Sequence, residues 1–258
     1  MSTDPPATRG PSPADMPARM PPRRLVVAID GPSGSGKSSV SRAVARRLGA
    51  AYLDTGAMYR ALTWWLLDEG VDLADAELVG RLSPTAPLEV GLDPERPRIG
   101  AGGVDLAVEV RSERITAAVS AVATNLVVRA DMRRRQRELI DVGVADRGAI
   151  VAEGRDITTV VAPDAQVRIL LTAREEARLA RRSLQDKGTA DAQAVASVRE
   201  AVVARDAVDS TVSQFTTAAD GVVTVDSSEL DFDQTVAAVL SLVAARSRPA
   251  TVHGPGLR

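Results

Sequence analysis

The segment Gly31-Pro-Ser-Gly-Ser-Gly-Lys-Ser38 has the spacing of a phosphate-binding loop: a glycine, four residues, then Gly-Lys-Ser. Gly31, Pro32, Ser33, Gly34, Ser35 and Gly36 would let consecutive backbone N–H groups point into one concavity at the positive end of a helix, which cradles a polyphosphate. Lys37 would reach the outer phosphates, the Ser38 hydroxyl would ligate Mg²⁺, and Ser39 continues the cradle. The context agrees with the motif. It follows an apolar strand, Leu25–Asp30, and opens a helix in which Val40, Val44 and Leu48 recur at helical spacing. A Gly/Ser-rich linker would not need a Lys-Ser pair at this offset. The sequence therefore points to a bound nucleoside triphosphate.

Such a loop serves GTPases, motors and small-molecule kinases alike, so the discriminating residues lie elsewhere. An Asn-Lys-x-Asp segment, which would read a guanine, is absent. The chain has 32 Lys and Arg against 34 Asp and Glu, a net charge of −2, and six aromatic residues. That balance argues against a nucleic-acid partner, which calls for basic excess and stacking platforms. There is no cysteine, and the one histidine is His253. Thiol nucleophiles, disulfides, histidine triads and imidazole zinc sites are thereby excluded or disfavoured. Chemistry must rest on Asp, Glu, Lys, Arg, Ser, Thr, backbone amides or a bound cation.

Arginine and aspartate sit where such chemistry could use them. Asp54-Thr-Gly-Ala-Met-Tyr-Arg60 follows a second strand and enters a helix, aiming Tyr59 and Arg60 at the crevice where open α/β sheets bind ligands. Glu153-Gly-Arg-Asp156 ends a third strand in the equivalent place, offering Arg155 and Asp156. Arg178, Arg181 and Arg182 share one helix edge, and Arg205 with Asp209 share another. The pattern suits an enzyme that clamps two anionic substrates and neutralises charge on a moving phosphoryl group. The Arg178 cluster fits equally well a solvated face paired with Glu175 and Glu176. Arg133, Arg134, Arg135 and Arg137 read as a solvated helix face, and Trp64 and Trp65 as packing residues.

The elements that must position these residues alternate strand and helix, the signature of a parallel sheet. Expected strands are Leu25–Asp30, Ala51–Asp54, Ala149–Glu153, Val167–Thr172 and Val222–Asp226, mostly continuous apolar runs that call for burial on both faces. Expected helices are Lys37–Leu48, Ala57–Glu69, one long helix from Ile115 to Val142, Glu175–Asp186, Ala190–Val208 and Phe232–Arg246. Between 82 and 111 three short segments separated by Gly, Pro and Asp read as an antiparallel insertion. The fold class is thus a three-layer α/β phosphate-loop fold with a five-stranded parallel sheet, a small antiparallel β insertion and a helical lid over 174–190. Residues 1–22, which hold seven of the 15 prolines, read as a disordered leader, and 247–258 as a disordered tail. The domain between them is 23–246. No run approaches the ~20 apolar residues of a membrane span, and no secretory signal opens the chain. A cytoplasmic, monomeric protein without membrane or nucleic-acid partners is expected.

Taken together, the phosphate loop, Asp54-Thr-Gly-Ala-Met-Tyr-Arg60, Glu153-Gly-Arg-Asp156, Val160-Val161-Ala-Pro-Asp164 and Arg205-Asp206 with Asp209-Ser-Thr211 resemble the bacterial cytidylate kinases over about Leu25 to Ala245. The resemblance implies ATP:(d)CMP phosphotransfer with ATP and Mg²⁺, and an inserted segment that binds the nucleoside monophosphate. It implies that Tyr59, Arg60 and Arg155 clamp the acceptor phosphate near Asp54, and that Ser120, Arg129 and Asp156 read cytosine. Arg205 and Asp209 would contact the sugar, and Arg178, Arg181 and Arg182 would form the lid over ATP. A kinase for UMP or a small metabolite, or a non-catalytic ATP-binding switch, is the alternative. Two positions depart from the family pattern: Val212 stands where Asp-Ser-Thr is commonly followed by arginine, and Ile157-Thr158-Thr159 replaces the usual Ile-Gly-Thr. The first bears on ribose against deoxyribose preference.

Overall fold

The computed structural model describes residues 24–247. The expected leader, and the expected tail from 248 onward with His253, lie outside the described residues. The chain opens with β1 (Leu25–Asp30), α1 (Lys37–Leu48), β2 (Ala51–Asp54), α2 (Thr55–Asp68) and α3 (Ala76–Leu82). It then makes β3 (Leu88–Gly91), β4 (Arg98–Ala101) and β5 (Val104–Asp105), followed by α4 (Glu113–Ala123), α5 (Leu126–Arg147), β6 (Ala149–Gly154) and β7 (Val167–Thr172). The helices α6 (Glu175–Lys187) and α7 (Ala192–Asp209), then β8 (Val223–Asp226) and α8 (Phe232–Ser247), complete it.

Five strands form a parallel sheet in the order β2-β6-β1-β7-β8, with β1 at the centre. The continuous apolar runs are explained by burial on both faces. Val26, Ala28, Leu53 and Ile150 pack with Met58, Leu62 and Leu66 of α2 and with Met132 and Ile140 of α5. The alternate residues Val27, Ile29, Tyr52, Val151 and Ile169 meet Val40 and Val44 of α1 and Val236, Val239 and Val243 of α8. Each large side chain so buried contributes about 1.5–3 kcal/mol. The sheet therefore holds the C-terminal ends of β1, β2 and β6 rigidly side by side, which is where the phosphate loop, Asp54 and Glu153 emerge. The insertion is a separate antiparallel sheet, β3-β4-β5. Trp64 and Trp65 pack against the first of the two cores, as expected.

The expected single helix from Ile115 to Val142 is two helices, α4 and α5, bent by 100°. The break is at Thr124 and Asn125: Asn125 Oδ1 accepts from the N–H groups of Val127 at 2.9 Å and Val128 at 3.3 Å, starting a new helix. In the sequence only two polar residues, Thr124 and Asn125, between apolar stretches mark the joint. Sequence reading also passed over α3, which Asp75 caps through Leu78 N–H. The arginine run on α5 is not merely a solvated face. Arg135 donates to the carbonyls of Ala86, Ser83 and Pro84, and Arg137 to those of Val160 and Val161. These side chains fasten α5 to the insertion and to the turn after β6. No single helix among the described residues is long and apolar enough to cross a membrane.

Candidate active site

The phosphate loop runs from the end of β1 into α1 and is confined on two sides by backbone. A Cβ built on Gly31 would lie 2.2 Å from the carbonyl oxygen of Leu171 in β7. Gly34 has φ +77°, and a Cβ there would lie 2.4 Å from the carbonyl oxygen of Arg178 in α6. Glycine is thus required at the first by space and at the second by space and conformation. Lys37 Nζ donates to the Pro32 carbonyl at 3.3 Å, inside the arc of the loop. Burial, and then the neighbouring Arg155, hold its pKa below the ordinary lysine value, while Glu153 acts in the opposite sense. The buried Ser35 Oγ has no hydrogen-bond partner among the described residues, and Ser35 lines the cleft.

Beside the loop, Glu153 joins β6 to both neighbouring elements. Its Oε1 accepts from Tyr52 OH at 2.6 Å and its Oε2 from Ser38 Oγ at 3.0 Å. Burial and the charge of Asp54 raise the Glu153 pKa, with Lys37 opposing. Asp54 itself caps α2, accepting from Ala57 N–H at 2.9 Å. Ser38, Glu153 and Asp54 are hard oxygen donors clustered at the phosphate end of the cleft, a set that suits Mg²⁺ rather than a softer metal.

The opposite wall is cationic. Arg60 donates to Val110 O and Thr116 Oγ1, both at 2.9 Å, and burial followed by the charges of Arg205 and Arg182 pushes its pKa down to about 9. Arg205 is pushed down to about 10, by burial and then Arg155, and its buried Nε pairs with Asp209 at 3.5 Å but makes no hydrogen bond among the described residues. Burial is the chief cause for both, and neighbouring cations add to it against the pull of Asp54 on Arg60 and of Asp209 and Asp206 on Arg205. Arg155, also on this wall, reaches across to the loop: Nη2 donates to Ser33 Oγ at 2.8 Å, Nε pairs with Asp209 at 3.1 Å, and the guanidinium lies 4.3 Å over the Phe215 ring. Arg129 is ion-paired with Asp156 and donates to Ser213 Oγ at 2.9 Å. The cleft enclosed between the walls has a volume of about 1770 Å³.

The glycine-rich loop thus faces a wall of arginines across one cleft. The family described as cytidylate kinase matches residues 27–245. This chain belongs to the cytidylate kinase family. Proteins named cytidylate kinase from Rhodococcus opacus and Cutibacterium acnes are each 46% identical to it over 225 residues, covering 86% and 87% of this chain and 96% and 98% of theirs. The one from Streptomyces avermitilis is 46% identical over 220 residues, 85% of this chain and 92% of its own.

In this member of the cytidylate kinase family, most of the sequence-predicted residues meet in one cleft. Ser33 through Ser39, Asp54, Tyr59, Arg60, Ser120, Arg129, Arg155, Asp156, Arg181, Arg182, Arg205 and Asp209 all line it. The groupings differ from expectation in two ways. Ser120 Oγ donates to Asp209 Oδ1 at 3.3 Å, which joins it to the Arg205–Asp209 pair rather than to Arg129 and Asp156. The arginines of α6 do not form one cationic edge. Arg178 donates to Ser33 O at 2.9 Å and to Asp206 at 2.7 Å, whereas Arg181 donates to Ser227 O, Ser227 Oγ and Leu230 O on the loop before α8. Helical spacing put these side chains on one face, but their length lets them reach partners on opposite sides. The surface alternative fails for Arg178, while Glu175 pairs with Arg199 instead.

Tyr52, Glu153, Asp206, Ser213 and Phe215 were not singled out from sequence as site residues. Glu153 was legible in principle, as the acidic residue ending a strand beside the phosphate loop. Ser213 and Phe215 carried no signal, because their roles exist only once the chain after α7 folds under Arg155. The Thr158 departure has a structural account. The buried Asp30 at the end of β1 accepts from Ile157 N–H at 2.9 Å, Thr158 N–H at 2.8 Å and Thr158 Oγ1 at 2.6 Å, so the added hydroxyl helps satisfy an otherwise costly carboxylate.

Proposed function

We propose that this chain transfers the γ-phosphoryl group of ATP to the 5′-phosphate of CMP or dCMP, giving ADP and CDP or dCDP. The observation that carries the reading is a phosphate loop facing a crowded arginine pocket across one cleft, in a chain of the cytidylate kinase family. The acceptor is a phosphate monoester whose second pKa is ~6, so its attacking oxygen is already ionised near neutral pH. No general base is needed, and none of the described residues lining the cleft is a histidine. Catalysis then consists of alignment, charge neutralisation and exclusion of water.

In this reading the loop from Gly31 to Ser39 holds the donor phosphates, with Lys37 on the outer ones. Ser38, with Glu153 and Asp54 close by, holds Mg²⁺, which when bound offsets phosphate charge. Tyr59, Arg60 and Arg155 clamp the acceptor phosphate; Arg129 with Asp156 reads the base; Arg205, Asp209 and Ser120 meet the sugar. The insertion over 82–111 serves the monophosphate, and the 174–190 segment acts as a lid, with Arg178 and Arg182 toward the phosphates and Arg181 fastening the loop before α8. The protein works in the cytoplasm as a monomer, without nucleic-acid or membrane partners.

The test is a coupled assay of ADP release with ATP, Mg²⁺ and a panel of nucleoside monophosphates. CMP and dCMP should give the fastest turnover. A chain that binds ATP yet releases no ADP with either, or prefers UMP, contradicts the assignment.

A further inference from the structure

Asp206 lies in the last turn of α7, its side chain caps no helix end and it belongs to neither apolar core. Its carboxylate nevertheless gathers donors from three other parts of the chain. Oδ1 accepts from Ser33 N–H of the phosphate loop at 3.2 Å and from Arg155 Nη1 after β6 at 3.0 Å. Oδ2 accepts from Arg178 Nη1 of α6 at 2.7 Å, and that same nitrogen donates to Ser33 O at 2.9 Å. The side chains of Asp206, Arg155 and Arg178 are each only 14% exposed. This is therefore not the exposed type of ion pair that contributes little.

The geometry has a directional consequence. Arg155 belongs to the acceptor wall, and Arg178 belongs to the segment whose backbone closes on Gly34. Both guanidiniums carry like charge, and Arg205 and Lys37 add more beside Arg155. Left without a shared counter-ion, the two would repel and take up separate positions. One carboxylate bound to both, and anchored to a loop amide, fixes the distance between them and their height above the phosphate loop.

We propose that Asp206 is a positioning residue for phosphoryl transfer, yoking Arg155 and Arg178 to the phosphate loop so that the acceptor clamp and the lid arginine act on the transferring group as one unit. The proposal rests on the phosphotransfer reading above. It assigns Asp206 no contact with substrate; the residue acts through its two arginines.

The experiment compares Asp206→Asn, Arg178→Met and the double variant in the full chain, following kcat, both KM values and thermal melting. A misplacement of ~1 Å can cost on the order of 100-fold, so Asp206→Asn should lower kcat by about tenfold or more. Both KM values should stay within about threefold and melting should stay close to wild type, the split expected when an interaction matters chiefly in the transition state. The double variant should be no slower than the slower single, because the pair acts as one device. Losses in kcat that multiply would overturn the proposal, as would a kcat within about twofold of wild type. Faster turnover or tighter ATP binding would also overturn it, since Asp206 would then be competing with phosphate. If Asp206→Asn does not fold, Asp206→Glu carries the test: the extra methylene displaces the carboxylate, so kcat should fall at normal melting, and an unchanged kcat sinks the idea. Failure of the functional reading is distinct, because it shows as a wild-type chain without CMP-dependent ADP release.

Discussion

The two walls of the cleft are made differently. The donor wall is a single run of eight residues, Gly31 to Ser38, and its main groups are backbone amides fixed by glycine conformation and by the neighbouring Leu171 and Arg178 carbonyls. The acceptor wall is made of side chains from α2, α4, α5, α7 and the segment after β6, held in place by ion pairs and by carbonyls such as Val110 O. Backbone placed by local geometry tolerates little substitution at Gly31 and Gly34, where a Cβ would meet a carbonyl oxygen. Side chains placed by long-range pairs can be lost singly, each with its own partial effect. This contrast makes the two walls separable by mutation.

The largest effect should come from Lys37→Ala, which removes the one ammonium inside the loop and should cut kcat by about 10³-fold or more with the protein still folded. Near-normal turnover would show that the donor wall works without it. Next, Gly34→Ala should impair the donor wall through backbone alone. The left-handed φ and the 2.4 Å approach to Arg178 O force the loop and α6 apart, so KM for ATP should rise far more than KM for CMP. Equal changes in both would erase the proposed separation of the walls. On the acceptor wall, Arg129→Ala should reduce the preference for CMP over other monophosphates by about 10–100-fold while ATP binding is little changed. Lost ATP affinity with intact preference would move Arg129 to the other wall. The smallest effect is reserved for Val212→Arg, which should shift the CMP to dCMP ratio by about threefold; an unchanged ratio would show that the sugar is read elsewhere.

The same contrast explains what could be read from sequence. The donor wall was legible residue by residue because loop, strand and helix are contiguous, and the apolar runs of the five parallel strands declared burial on both faces. On the acceptor wall the residue types were legible, but several partners were not. Ser120 lies 89 residues from Asp209, and Arg178 lies 145 from Ser33; only the closed sheet brings them together. The break at Asn125 is hard to see in the sequence because Thr124-Asn125 is a two-residue polar interruption between apolar stretches, short enough to fit within one helix. The solvated face holds for Arg133 and Arg134 but not for Arg135 and Arg137, for a related reason: charge marks a residue as soluble, not as free of carbonyl partners.

The crowding of Arg60, Arg205 and Lys37 also has a bearing on how durable the protein is. Cations held close and half-desolvated work against the folded state until a ligand arrives, so the catalytic pocket is a standing tax on thermal endurance. Arg205, whose buried Nε has only the 3.5 Å ion pair with Asp209, should show it most clearly. Replacing it with methionine should raise the melting temperature while lowering turnover, and saturating CMP should narrow the gap by protecting the wild type more than the variant.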